Sequence, residues 1–275
     1  MRKQIAIAAL CCLLLGGSGL AIAQSQGSSG PVFGGLPLIF DGPGYIEVLG
    51  AHSELNGNNP SWTDAGVIAS VSGGRNTIHF ESTRQDRYGD VGWWFSAGAT
   101  RTFGENWYAT GFLGSSVGGV FLPRLRGDAF INRKFLPHKQ LVLNFGAGFD
   151  NSKLANHDYR NSVGGIYYFP WPVILQAEVE WTRSLPDGTL VHTQKVALTQ
   201  GREKEHYITA RAEIGREAYE VVGQALTLFD FPIHNYSLNY KQWLGANFGV
   251  HLTLEREVNP FYRRNGGSVA FFLDF

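Results

Sequence analysis

The chain ends in Ser268-Val269-Ala270-Phe271-Phe272-Leu273-Asp274-Phe275, and this stretch decides the fold. Odd-numbered positions carry large apolar side chains, whereas even-numbered positions are mostly small or polar. Because successive side chains of a β-strand point to opposite faces, the pattern predicts a strand with one apolar face. An edge strand of a soluble β-sandwich would share this alternation. Bacterial outer-membrane barrels end in such a strand, in which Val269, Phe271, Leu273 and Phe275 would form the signal that the barrel assembly machinery recognises.

The same alternation recurs upstream, in residues 91–100, 141–150, 173–182 and 248–255. These segments have about 9–12 residues, the length that a tilted strand needs to cross a bilayer, and soluble sheets use strands of about 5–6 residues. The residues after position 23 contain no run of about 18 apolar residues, so no transmembrane helix is predicted. Mean hydropathy is −0.11, which an alternating membrane barrel can match because its lumen is polar.

Turn signals divide the chain into fourteen predicted strands, with twelve as the alternative if the first hairpin is irregular. Short connections such as Gly73-Gly74-Arg75-Asn76 alternate with longer polar stretches at 56–62, 83–90, 118–126, 151–161, 216–233 and 257–267. Short turns on one side and long loops on the other are typical of bacterial outer-membrane barrels. We therefore predict an all-β fold, a single up-and-down antiparallel transmembrane β-barrel. The strands are predicted at 44–55, 62–72, 76–84, 90–102, 106–117, 125–135, 140–151, 158–169, 172–184, 188–200, 205–217, 233–244, 246–257 and 267–275.

Aromatic residues cluster beside the short connections. An aromatic ring is favourable between lipid headgroups and hydrocarbon, so this placement predicts an interfacial girdle at one end of the barrel. The residues concerned are Phe103, Trp107, Phe135, Phe169, Trp171, Tyr207 and Trp243.

The N-terminus is predicted to be a cleaved signal peptide, residues 1–23. Arg2 and Lys3 precede an apolar run, and Ala21-Ile22-Ala23 has the small-x-small pattern of a cleavage site. Residues 24–43 are rich in Gly, Ser and Pro and would form a periplasmic leader, followed by the barrel at 44–275. A retained membrane anchor is the alternative. Processing should yield a protein that begins at Gln24; N-terminal sequencing of membrane-extracted protein that begins at Met1 would contradict this.

Composition excludes several classes of function. The two cysteines, Cys11 and Cys12, both lie in the predicted signal peptide, so the mature chain lacks a disulfide framework, a thiol nucleophile and sulfur ligands for a metal. The eight histidines form no His-x-x-x-His pair, and no metal or other cofactor is predicted. The chain has 23 basic and 23 acidic residues, so nucleic acid is not an expected partner.

Charged residues on three consecutive predicted strands form the candidate site. Their neighbours in sequence are apolar, which places the charges on the lumen face of a barrel. Cross-strand pairs of opposite charge stabilise a sheet, so the group is interpreted as a structural ion-pair network, with a selectivity or ligand-binding patch as the functional alternative. This lumen charge network comprises Glu178, Glu180, Lys195, Arg211 and Glu213.

One sequence pair is a candidate for catalysis at the outer surface. His157-Asp158 lies in the predicted loop 151–161, which also supplies Asn151, Ser152 and Ser162. A solvated turn is the simpler interpretation of this pair. No catalytic residue is assigned.

The chain resembles the YaiO-like family of outer-membrane β-barrels. The resemblance rests on the barrel pattern from Gly44 to Phe275, on Gly215-Arg216-Glu217-Ala218-Tyr219 and on the Arg-containing strand 207–215 before it. It implies an outer-membrane location and a loose association with envelope polysaccharide, and it transfers no active site. Expected partners are outer-membrane lipid, lipopolysaccharide and the barrel assembly machinery.

Two classes of function follow. The favoured class is a non-enzymatic barrel, whether a pore, an export or assembly partner, or a structural envelope protein. The alternative is an outer-membrane enzyme that acts on lipid or lipopolysaccharide from its outer rim. A cluster of Ser, His and Asp side chains among the outer loops would favour the enzyme.

Overall fold

A computed structural model describes residues 42–57, 59–221 and 227–275. The predicted signal peptide and most of the predicted leader, up to residue 41, lie outside the described residues. Fourteen strands account for nearly all of the described chain. They are β1 Gly44–Leu55, β2 Trp62–Gly73, β3 Asn76–Arg87, β4 Asp90–Phe103, β5 Trp107–Gly118, β6 Leu125–Phe135, β7 Leu141–Asn151, β8 His157–Tyr168, β9 Val173–Leu185, β10 Thr189–Arg202, β11 His206–Val221, β12 Thr227–Trp243, β13 Phe248–Val258 and β14 Arg263–Asp274.

The strands form a closed barrel in which each pairs antiparallel with its neighbours in sequence. Closure is made by β1 and β14, which pair from Tyr45↔Asp274 to Leu55↔Arg264. Backbone bonds between Gly44 and Phe275, at 2.6 and 2.9 Å, extend this seam by one residue. Because closure removes every free strand edge, all strands can satisfy their backbone groups inside a membrane. The predicted fourteen-strand, up-and-down barrel is confirmed.

Alternation along each strand separates an apolar outer face from a polar lumen. On β1, Val48 faces outward and is 54% exposed, whereas Glu47 faces the lumen and is buried. Outward positions carry most of the exposed large apolar residues, among them Phe145 and Leu254. Such a surface is stable only against lipid. Within the described part of the chain, no helix has the length and apolar character to span a bilayer.

The prediction of long loops at one end of the barrel is wrong in part. We call the end where β1 begins and β14 finishes the terminal end, and the other the loop end. At the loop end β3 continues to Arg87, β11 to Val221, and β14 starts at Arg263, so much of the predicted loops 83–90, 216–233 and 257–267 is strand. Outward positions of these strand ends are polar, which indicates that the strands extend beyond the hydrocarbon core of the membrane. Outside the core, a polar outer face costs no free energy.

The predicted aromatic girdle holds for only part of its members. Phe103, Trp107 and Trp171 are exposed on the outside at the terminal end. Tyr207 and Trp243 instead face the lumen, where Trp243 packs with Tyr45 and Phe272. A position beside a turn does not determine whether a side chain faces the lipid or the lumen, because a shift of one residue along a strand moves the side chain to the opposite face.

Apolar packing inside the barrel is concentrated near its two ends. At the terminal end, Tyr108, Val142, Ile166 and Tyr168 form one cluster. At the loop end, Leu55 packs with Trp62, Tyr88 and Tyr262. Between these ends the lumen is polar, and the charged candidate site lies there.

Candidate functional site: the charged lumen

The lumen charge network is centred on Lys195 of β10. Its Nζ lies 3.2 Å from Glu180 Oε1, 3.5 Å from Glu178 Oε1 and 3.9 Å from Glu213 Oε1. The side chain of Lys195 is 4% exposed and that of Glu178 is 6% exposed. Because so buried an ammonium has lost most of its hydration, its stability depends on the carboxylates around it.

The strand register explains why these groups meet. Lys195 pairs with Glu178 on β9 and with Glu213 on β11, so the three form one cross-strand row. Glu180 and Arg211 are each two residues from a member of this row and therefore face the same way. Arg211 Nη2 lies 3.3 Å from Glu213 Oε2, and its side chain is 20% exposed. All five residues that the sequence placed on the lumen face are thus brought together.

A second ion-pair group, on β6, β7 and β8, escaped the sequence analysis. Asp128 accepts hydrogen bonds from Arg126 Nε and Arg160 Nη2, both at 2.8 Å, and Arg160 Nη1 lies 3.8 Å from Asp150 Oδ2. All four residues lie in the predicted strands 125–135, 140–151 and 158–169, whereas the predicted charge network covers only the strands 172–184, 188–200 and 205–217. The alternation within the predicted strands 140–151 and 158–169 already places Asp150 and Arg160 on the lumen face.

A third group fills the lumen at the terminal end. Glu47 accepts a hydrogen bond from the Tyr45 hydroxyl and lies 3.5 Å from His251 Nδ1. Lys241 donates to the Tyr45 hydroxyl at 3.2 Å, and its Nζ is 4.2 Å from the Phe272 ring centroid and 4.9 Å from that of Trp243. An ammonium enclosed by aromatic rings is stabilised by their negative faces. This end of the lumen is therefore narrowed by packed rings.

Arginine and aromatic side chains meet at the loop end. The Cζ atoms of Arg87 and Arg264 lie 4.6 and 5.0 Å from the Trp62 ring centroid. Arg264 also forms ion pairs with Glu257 at 3.0 Å and Glu255 at 3.1 Å. These contacts join β2, β3, β13 and β14 across the seam where the barrel closes.

The loop residue Tyr262 links this cluster to the β11–β12 hairpin. Its hydroxyl lies 2.8 Å from carboxylate oxygens of both Glu220 and Glu257. Burial raises the pKa of Tyr262 well above its ordinary value, and the charge of Glu220 adds to the increase. The hydroxyl therefore keeps its proton and remains a hydrogen-bond donor to the carboxylates.

The β11–β12 hairpin rises beyond its neighbours and leans over the lumen. Pairing of β11 with β10 ends at Thr193↔Gly215, and pairing of β12 with β13 ends at His234↔Val258. Beyond these points the hairpin contacts loops on both sides: Tyr219 interacts with Ser152, and the Phe231 ring meets Phe261 edge-on at 5.4 Å between centroids. Only a hairpin inclined toward the barrel axis can reach both loops.

The candidate catalytic pair does not form a site. His157 and Asp158 are the first two residues of β8 rather than part of a loop. His157 is exposed and Asp158 is buried, as expected for consecutive strand residues on opposite faces. Asp158 pairs across the sheet with Ser184 and His157 with Leu185. Among the described residues, no three His, Cys, Asp or Glu side chains are grouped so as to hold a metal ion.

Comparison with known proteins agrees with this architecture. Residues 44–220 match the model of the YaiO membrane beta barrel domain. The chain belongs to the YaiO family. It is therefore an outer-membrane β-barrel, as the sequence resemblance implied. No curated protein matches the chain in sequence.

Solved structures with a similar fold are barrels of low sequence identity to this YaiO-family chain. A structure described as the CymD monoaromatic hydrocarbon channel has a TM-score of 0.58 at 8% identity, over 85% of this chain and 88% of that one. A bacterial polysaccharide outer membrane secretin gives 0.51 at 9% identity, over 84% and 98%. The outer membrane protein Omp33 of Acinetobacter baumannii gives 0.50 at 10% identity, over 83% and 98%. At such identities the similarity shows the fold alone.

Proposed function

We propose that this barrel is a non-enzymatic outer-membrane channel, with a narrow lumen lined by paired charges. The observation that carries the proposal is the partial exposure of charges inside the barrel. Arg211 is 20% exposed, Glu180 is 21% exposed and Arg126 is 30% exposed, although all three face the lumen. The free space beside these side chains supports a water-filled passage for small polar solutes.

The arrangement of the charges supports a channel more than an enzyme. Each lumen group places its carboxylates in contact with basic side chains, whereas an enzyme would need a free carboxylate as a nucleophile or base. The His157-Asp158 pair, which an enzyme of the outer rim would have used, is divided between the two faces of β8. The association with envelope polysaccharide that the family resemblance implies remains part of the proposal, as one class of solute to test.

Replacing Arg211 by alanine should shift the ion selectivity of the channel toward cations. The substitution removes a lumen cation next to Glu213 and leaves the carboxylate facing the passage. Because Arg211 is partly exposed, the loss of stability should stay below about 1 kcal/mol. Single-channel conductance and reversal potential in planar bilayers would measure the change.

Arg101→Ala is the matched control, because Arg101 is exposed on the outer face of β4. It removes the same charge without touching the lumen and should leave selectivity unchanged. Purified, folded protein that shows no conductance, or Arg211→Ala channels with unaltered selectivity, would refute the proposed channel.

A further inference from the structure

Two outward-facing arginines lie side by side at the loop end of β13 and β14. Arg256 follows Leu252 and Leu254 on the outer face of β13, and Arg263 shares the outer face of β14 with Val269. Both arginines are exposed. The register pairs Asn265 with Arg256 and Val258 with Arg263, so the two guanidinium groups start from diagonal positions, about 7–8 Å apart at Cα. We call Arg256 and Arg263 the outer arginine pair.

In the part of the chain that the structure describes, the outer arginine pair has no counter-charge in contact. Among the described residues, neither arginine has a carboxylate oxygen within 4.0 Å, in contrast to Arg264, which directly follows Arg263, faces the lumen and is paired twice. Glu54 of β1 is exposed on the same outer face, opposite Asn265 in the register. Two unpaired like charges at neighbouring positions repel each other, and an anion bound between them would relieve this cost.

An apolar strip leads directly to the pair. Leu254, 65% exposed, and Leu252 precede Arg256 on β13, and Leu238 lies opposite Leu254 on β12. Tyr236 lies opposite Arg256 and is also exposed. Over three successive outward positions of β13 the outer face thus changes from leucine to arginine, and a tyrosine lies beside the arginine at the same level. Leucine is typical of the hydrocarbon region of a bilayer, and tyrosine and arginine are typical of its interface.

We propose that the outer arginine pair binds the phosphate of a phosphorylated glycolipid, the lipid A class, in the outer leaflet. Arginine offers a planar fork of donors that matches phosphate, and two of them can hold one phosphate from both sides. The leucine strip provides the surface on which the acyl chains of the same lipid lie. The proposal places the loop end in the outer leaflet, with both termini in the periplasm, and it is independent of whether the lumen conducts.

The test compares lipid binding by two double variants of the full barrel folded in detergent. Arg256→Gln/Arg263→Gln should weaken binding of bisphosphorylated lipid A at least tenfold, measured by native mass spectrometry over a lipid titration. Arg101→Gln/Arg133→Gln is the matched control. It removes two exposed outward arginines at the terminal end, which lie over the rings of Phe103 and Phe135, and it should bind lipid A as the unmodified protein does.

Dephosphorylated lipid A identifies the group that is recognised. The unmodified protein should bind it as weakly as Arg256→Gln/Arg263→Gln binds the phosphorylated form. Equal affinity for the two lipids would overturn the proposal, as would unchanged lipid A binding by Arg256→Gln/Arg263→Gln. Weaker binding by Arg101→Gln/Arg133→Gln alone would overturn it too, because the glycolipid would then lie at the terminal end. Far-UV circular dichroism and heat-modifiability on gels establish that both variants are folded.

Discussion

Replacing Lys195 by methionine should lower the free energy of unfolding by about 3–5 kcal/mol, the cost of breaking a buried ion pair by removing one partner. Lys195 is almost fully buried, and its ammonium is within 4.0 Å of three carboxylates. Methionine keeps most of the apolar stem of lysine. The loss of stability therefore reflects the removed charge rather than a change in packing volume. Urea unfolding of the barrel in lipid vesicles, followed by tryptophan fluorescence, would measure it.

Arg211→Ala provides the comparison within the same network. Its guanidinium contacts Glu213 but is 20% exposed, so water can replace much of the interaction and the expected loss is below about 1 kcal/mol. The double variant Lys195→Met/Glu178→Gln should recover part of the stability, because it also removes an unpaired carboxylate. A loss below about 1 kcal/mol for Lys195→Met would mean that the centre of the network is hydrated and that its burial does not govern stability.

Deleting Phe275 should sharply reduce the amount of folded barrel in the outer membrane. The deletion removes the aromatic end of the predicted assembly signal and both backbone bonds that join Phe275 to Gly44. Phe275→Ala keeps those backbone bonds and removes only the ring. Quantitative gels of outer-membrane fractions, run with and without heating, would give the folded yield of each variant.

Phe248→Ala is the control for the loss of a lipid-facing ring. Phe248 is 52% exposed, lies at the terminal end of β13 and pairs with Leu273. It should assemble at nearly normal levels. A normal yield for the Phe275 deletion would contradict the proposed signal. A normal yield for Phe275→Ala with a low yield for the deletion would assign the effect to the β1–β14 seam.

Much of the fold follows from alternation within single strands. The pattern of 268–275 and its repeats predicted a transmembrane barrel of fourteen strands, and most boundaries agree to within one or two residues. The largest differences are at β11, β12 and β14, where polar strands continue beyond the hydrocarbon and resemble loops in composition. Lys195, Glu178 and Glu213 could be placed together from sequence because they lie on consecutive strands, where hairpin register and parity fix which residues face each other.

Contacts between distant parts of the chain were decided only by the tertiary structure. Lys241 and Tyr45 meet because β1 closes on β14, which brings the two ends of the chain together. Tyr262 meets Glu220 because the β11–β12 hairpin leans over the lumen. Alternation determines which face a side chain occupies, since it depends on local backbone geometry alone. Its partner across the lumen depends on the curvature, closure and tilt of the whole sheet, and these are properties that no single strand specifies.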